Sequence, residues 1–228
     1  MTSKKRPSLL ANIMQIASVW IFADIGYYTL LPVAGFDGGY NGSPIALTVY
    51  YSIWTIIALF AFWDLLHTRP IIEKRKTTYI LLLLGSAMVA VYLYYVLPLL
   101  PDITWTPSWM PPSELLHASP WYFLPKSIDI LLQQVLVLAL VLSFYVENYN
   151  IKTISTWCAM LFGGAHLLLA VGGGGFIYAA VFTIVAVVSS FIFPYLMLEK
   201  RNGFIYSYFL HWLFYAIVIV LTKLVFRV

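Results

Sequence analysis

Seven separate stretches of this chain are each long and apolar enough to cross a bilayer as an α-helix, at about 9–33, 44–66, 77–99, 126–147, 152–171, 174–197 and 203–226. A helix needs roughly 20 apolar residues to span the hydrocarbon core, and in lipid only helices or closed barrels satisfy their own backbone groups. Runs of this length are too long for barrel strands, so the expected fold is all-α, a polytopic membrane bundle of about seven helices. Only 10% of the residues are charged and 62% are hydrophobic, and this imbalance extends along the whole chain. A soluble domain carries about 25% charged residues, so a single anchor with a water-exposed domain is excluded.

The charges that remain define an orientation. Lys4, Lys5, Arg6, Arg69, Lys74, Arg75, Lys76, Lys152, Lys200 and Arg201 fall on one side of a seven-helix partition, and Lys126, Lys223 and Arg227 on the other. Cytoplasmic loops are enriched in Lys and Arg, so the N-terminus is expected inside and the C-terminus outside. Lys4, Lys5 and Arg6 precede an apolar run without a small-residue cleavage site, which reads as a retained first helix. The formal charge of +4 lies in short clusters between apolar runs, so nucleic acid is not an expected partner; the lipid bilayer is. A bacterial cytoplasmic membrane is the expected location. Cys158 is the single cysteine, so neither an intrachain disulfide nor a cysteine zinc site can form. No metal or other cofactor is expected.

The connections are short except for 100–125, which is rich in Pro and aromatic residues, including Trp105, Trp109, Trp121 and Tyr122. Aromatic rings favour the headgroup depth, so this segment is expected to lie at the outer interface, with a lid over a cavity as the alternative. Gly172–Gly175 is expected to form a tight outer turn.

Ionisable and polar side chains at bilayer depth are costly and therefore mark candidate sites. Asp24 on the first helix has no local partner and is expected to face the bundle. Asp64 and His67, three residues apart at the inner end of the second helix, read as a local pair. On the fourth helix Asp129 and Gln133 share a face, while Gln134 points about 100° away. His166 follows Gly163, Gly164 and Ala165 on the fifth helix, which suits a close helix contact. Ser207, His211 and Tyr215 form a stripe on the seventh. Counting 1.5 Å per residue places Gln133 and His166 each ~10 Å below the outer boundary, with His211 nearer the midplane, so helices four, five and seven are expected to line a shared cavity. The bland alternative is that each histidine simply donates to a backbone carbonyl.

These residues, in this order, resemble the CPBP family of CAAX-processing and bacteriocin-processing intramembrane endopeptidases. That family carries paired glutamates and an arginine on one helix, Phe-x-x-x-His on the next, and His-x-x-x-Asn or a similar pattern on a later one. Phe162-Gly163-Gly164-Ala165-His166 matches the second motif, and His211 with Tyr215 is similar to the third. Gln133-Gln134 stands in place of the paired glutamates and Leu138 in place of the arginine. The resemblance covers about 126–226 and implies three added helices (1–100), an interfacial loop (101–125) and a CPBP-like four-helix core (126–228). It implies a catalytic set of Asp129, Gln133, Gln134, His166 and His211, with Phe162, Ser207 and Tyr215 contacting a peptide or lipidated substrate. Since a glutamine amide cannot accept a proton as a general base, the expected function is that of a pseudoprotease-type homologue, with Asp129 the one acid able to replace the lost pair. The alternatives are a non-enzymatic subunit of a membrane complex and a small proton-coupled transporter using Asp24, Asp129 and the histidines.

Overall fold

The computed structural model describes residues 7–68, 75–103, 113–171 and 175–225. Among these there are no strands, and seven helical segments are long and apolar enough to cross a membrane: Leu9–Val33, Pro44–Ala61, Lys76–Leu99, Pro120–Tyr145, Ile151–Ala170, Phe176–Glu199 and Gly203–Val225, called spans one to seven here. The chain is thus an integral, multi-pass membrane protein of the expected class. "Outer" and "inner" denote the sides assigned by the charge asymmetry. Lys4, Lys5, Arg6, Arg69, Lys74, Trp105, Trp109, Gly172, Gly173, Gly174 and Arg227 lie outside the described residues.

Span four is the axis of the molecule. In its most apolar window 78% of the residues are buried inside the protein, against 11% to 33% for the others. It packs most extensively on span two and also meets spans one, five and seven. Residues from all seven spans share one buried cluster around it. Between helices in lipid the drive is dispersion, close packing and hydrogen bonding rather than expulsion of water, so a central helix needs continuous contact on all sides. Span four supplies it with an unbroken buried run from Gln134 to Phe144 containing neither Gly nor Pro. Pro125 sits near its start, where a missing N–H costs little.

The boundaries differ from the sequence expectation in one consequential place. A short turn over Pro120–Tyr122 leads directly into helix at Phe123. Lys126 therefore lies within span four, buried, and not in the outer loop where the charge partition puts it. Lys223 is likewise buried in the last turn of span seven. Both are partly withdrawn from the outer surface, which deepens the charge asymmetry.

Two spans depart from regular helix near polar residues. Span one widens to a π-helix over Gly26–Leu30. Span five does so over Ala159–Gly163, then breaks into a turn at His166 and Leu167 before resuming at Leu168. Irregular backbone at membrane depth is tolerated where it is enclosed by protein or lines a cavity. Gly163 fits span five against span six: a Cβ there would sit 2.7 Å from Val187 Cγ2.

Candidate functional site

Two polar clusters meet around span four. The first centres on Asp129, which is 6% exposed. Its Oδ2 accepts from Lys126 Nζ at 2.8 Å and from Tyr40 Oη at 3.0 Å, and its Oδ1 accepts from Gln133 Nε2 at 3.0 Å. A carboxylate only accepts, so the single Tyr40 hydroxyl proton goes to Asp129, and the 2.8 Å contact between Tyr40 and Tyr51 must be donated by Tyr51. Burial, and next the Asp129 charge, push the Tyr40 phenol well above its ordinary value, which keeps that donor in place. The Lys126 ammonium also lies 4.1 Å from the centroid of the Tyr215 ring and 5.0 Å from that of Tyr40. This is a desolvated ion pair with its remaining valences satisfied, the condition under which a buried pair is tolerated.

The second cluster holds the histidines. Gln134, fully buried, places its Nε2 2.9 Å from His211 Nδ1. An amide N–H donates, so His211 accepts at Nδ1 and keeps its proton on Nε2. His166 has the opposite tautomer, because its Nδ1 lies 2.9 Å from the Phe162 carbonyl, which can only accept. The His211 ring stacks on Tyr215 at 5.6 Å, and Tyr215 in turn faces Lys126, so the two clusters touch through one tyrosine.

Phe162, His166, His211 and Tyr215 all line one cavity of about 250 Å³ between spans six and seven, whose remaining lining is mostly apolar, with Ser189 the exception. The expected common cavity is present for the histidines, with a different membership. Gln133 is bound to Asp129, Gln134 to His211, and neither lines the cavity. Ser207 is buried and donates to the Phe204 carbonyl of its own helix, also away from the cavity. Among the described hydrogen bonds, none joins a carboxylate to His166 or His211.

Asp24 does not join the buried face of its own helix. The buried face of span one is Asn12, Ile16, Val19 and Ala23. Asp24, one residue past Ala23, turns about 100° away from it and is exposed. At the inner end of span two, the His67 ring reaches the Trp63 carbonyl at 2.7 Å and packs tilted against the Trp63 ring.

An outer cap lies above the ion pair. Glu114 accepts from Tyr27 Oη at 2.9 Å and from the Tyr40 backbone N–H at 3.3 Å, while its own carbonyl accepts from Asn41 Nδ2 at 3.0 Å. Asn41 Oδ1 then accepts from the Ser119 N–H and hydroxyl. The described part of the long connection is therefore docked onto the loop between spans one and two. Tyr122 is buried beneath it, and Trp121 is exposed.

Lys126, Tyr40, Tyr51 and Glu114 were not among the expected site residues. The first was readable from its i, i+3 spacing to Asp129. The other three lie far away in sequence, and nothing local marks them.

No protein-family model matches this chain, and neither the curated proteins nor the solved structures contain a match to it.

Proposed function

We propose that this protein is a CPBP-like membrane protein without peptidase chemistry, which holds a peptide or lipidated segment in the cleft between spans six and seven. The observation behind this reading is the division of labour around span four. The two histidines of the family-like motifs line one cavity, whereas the nearby acid, Asp129, is bound to Lys126, Tyr40 and Gln133. Amide hydrolysis needs a group free to take a proton from water, and a carboxylate paired with a buried ammonium does not provide one. The Gln134–His211 contact keeps helices four and seven in register where the family would place an acid beside a histidine. A bacterial cytoplasmic membrane is the natural setting for the charge pattern.

The test uses the whole protein in proteoliposomes with photoactivatable lipidated peptides. Crosslinking to Leu210 or Ile217 in the cleft lining is expected, with loss on Ser189→Trp, and no cleavage product. Cleavage that survives His166→Ala and His211→Ala would have another source. Cleavage abolished by them overturns the non-peptidase reading.

A further inference from the structure

The two imidazoles that line the cleft between spans six and seven have opposite hydrogen-bonding roles, and a backbone break fixes one of them. Span five is interrupted at His166, where the His166 and Leu167 N–H groups turn to the Gly163 and Gly164 carbonyls. The Phe162 carbonyl receives neither of them and takes the His166 Nδ1 proton at 2.9 Å instead. With that proton on Nδ1, the neutral ring carries a lone pair on Nε2 and accepts there. His211 takes the Gln134 amide at Nδ1, so its own proton sits on Nε2 and donates. Among the described residues no protein group bonds to either Nε2, and neither is sealed in protein as Gln134 Oε1 is. Both rings border the same cavity, so it holds one free acceptor and one free donor.

The rest of the lining limits what can use them. Among the described residues no Asp, Glu, Lys or Arg borders the cavity, so a charged head would enter without a counter-ion, and the occupant is neutral there. It must also both donate and accept, because a head lacking either leaves a histidine nitrogen desolvated and unpaired. At about 250 Å³ the cavity falls below the ~300–1,000 Å³ usual for a drug-sized ligand, which leaves room for a head and the start of one chain. At its margin Val188, Leu210 and Ile217 are 40% to 54% exposed, an apolar surface along which the remaining chain passes into the bilayer.

These demands separate the bonds by which a lipid chain is joined to a peptide. A thioether neither donates nor accepts strongly, and a thioester accepts only. A secondary amide does both from one planar group. We propose that the cleft recognises an N-acylated segment by its amide, whose N–H donates to His166 Nε2 and whose carbonyl accepts from His211 Nε2–H. This inference rests on the reading of the cleft as the site of a lipidated segment, and it names the linkage.

The experiment uses the full-length protein in nanodiscs and one photoactivatable peptide whose saturated chain is attached as an amide, a thioester or a thioether. Saturable crosslinking to the cleft lining is expected for the amide, weakened at least roughly tenfold for the thioester and further for the thioether. His166→Phe fills the space but removes the acceptor, so amide and thioester should then crosslink equally. A purely structural role for His166 would instead lower both and preserve their ratio, which overturns the proposal. Equal crosslinking of all three peptides by the wild-type protein also overturns it while leaving the cleft reading intact, whereas no crosslinking at all overturns both. Displacement of the amide peptide by an equal or lower concentration of the free alcohol of matched chain length would assign the cleft to a free lipid, and likewise overturns the proposal.

Discussion

At the scale of single residues, Lys126 decides what Asp129 can do. Removing the ammonium leaves a buried carboxylate with two neutral donors, Tyr40 and Gln133, and no counter-charge. Breaking one side of such a pair typically costs about 3–5 kcal/mol, whereas replacing both sides with apolar groups is often neutral. Lys126→Met is therefore expected to lower the unfolding midpoint in detergent strongly, and Lys126→Met with Asp129→Leu to recover most of the loss. Equal loss in both would mean that the pair contributes only through packing. Tyr40 adds a pH limit. Its phenol is held well above the ordinary value of 10.0 by burial and by Asp129, so its contribution is complete below pH 10 and is lost as pH rises beyond it. The alkaline fall in midpoint should be smaller in Tyr40→Phe, which has no phenol proton to lose.

Between residues and the whole lie the connections, and the outer cap depends on one backbone position. Gly39 has φ +57°, a left-handed conformation that other residues adopt at a cost, and a Cβ there would fall on the Glu114 carboxylate. Gly39→Ala is expected to displace Glu114 and release Tyr27 and Tyr40 together, which faster protease cleavage near residues 113–119 would report. Glu114→Gln keeps the shape and one acceptor, so its effect should be the smaller. Such features show where sequence reading stops. Seven spans were legible because the membrane demands long apolar runs, and Asp129–Gln133 was legible because helical spacing fixes it. The centrality of span four was not, since in lipid every helix is apolar all round and amphipathicity no longer marks the inward face. Tyr40 and Glu114 come from connections 74 residues apart that only the folded chain joins.

For the whole molecule, the side from which the proposed cleft is reached depends on which ends of the spans face the cytoplasm. Span four is the useful probe, because its two ends carry exposed residues about 38 Å apart at 1.5 Å per residue, a distance that crosses the membrane. Trp121, exposed at one end, and Glu147, exposed just beyond the other, are the natural labelling positions. The single cysteine, Cys158, is fully buried and so is a silent background for maleimide chemistry, which needs an accessible thiolate. With the N-terminus inside, Trp121→Cys should react with a membrane-impermeant maleimide in intact cells, and Glu147→Cys only after permeabilisation. The reverse order would invert the molecule and place the Glu114 cap in the cytoplasm. Labelling of both positions from one side would mean that span four does not cross the bilayer, and the packing of six helices around it would have to form outside a membrane.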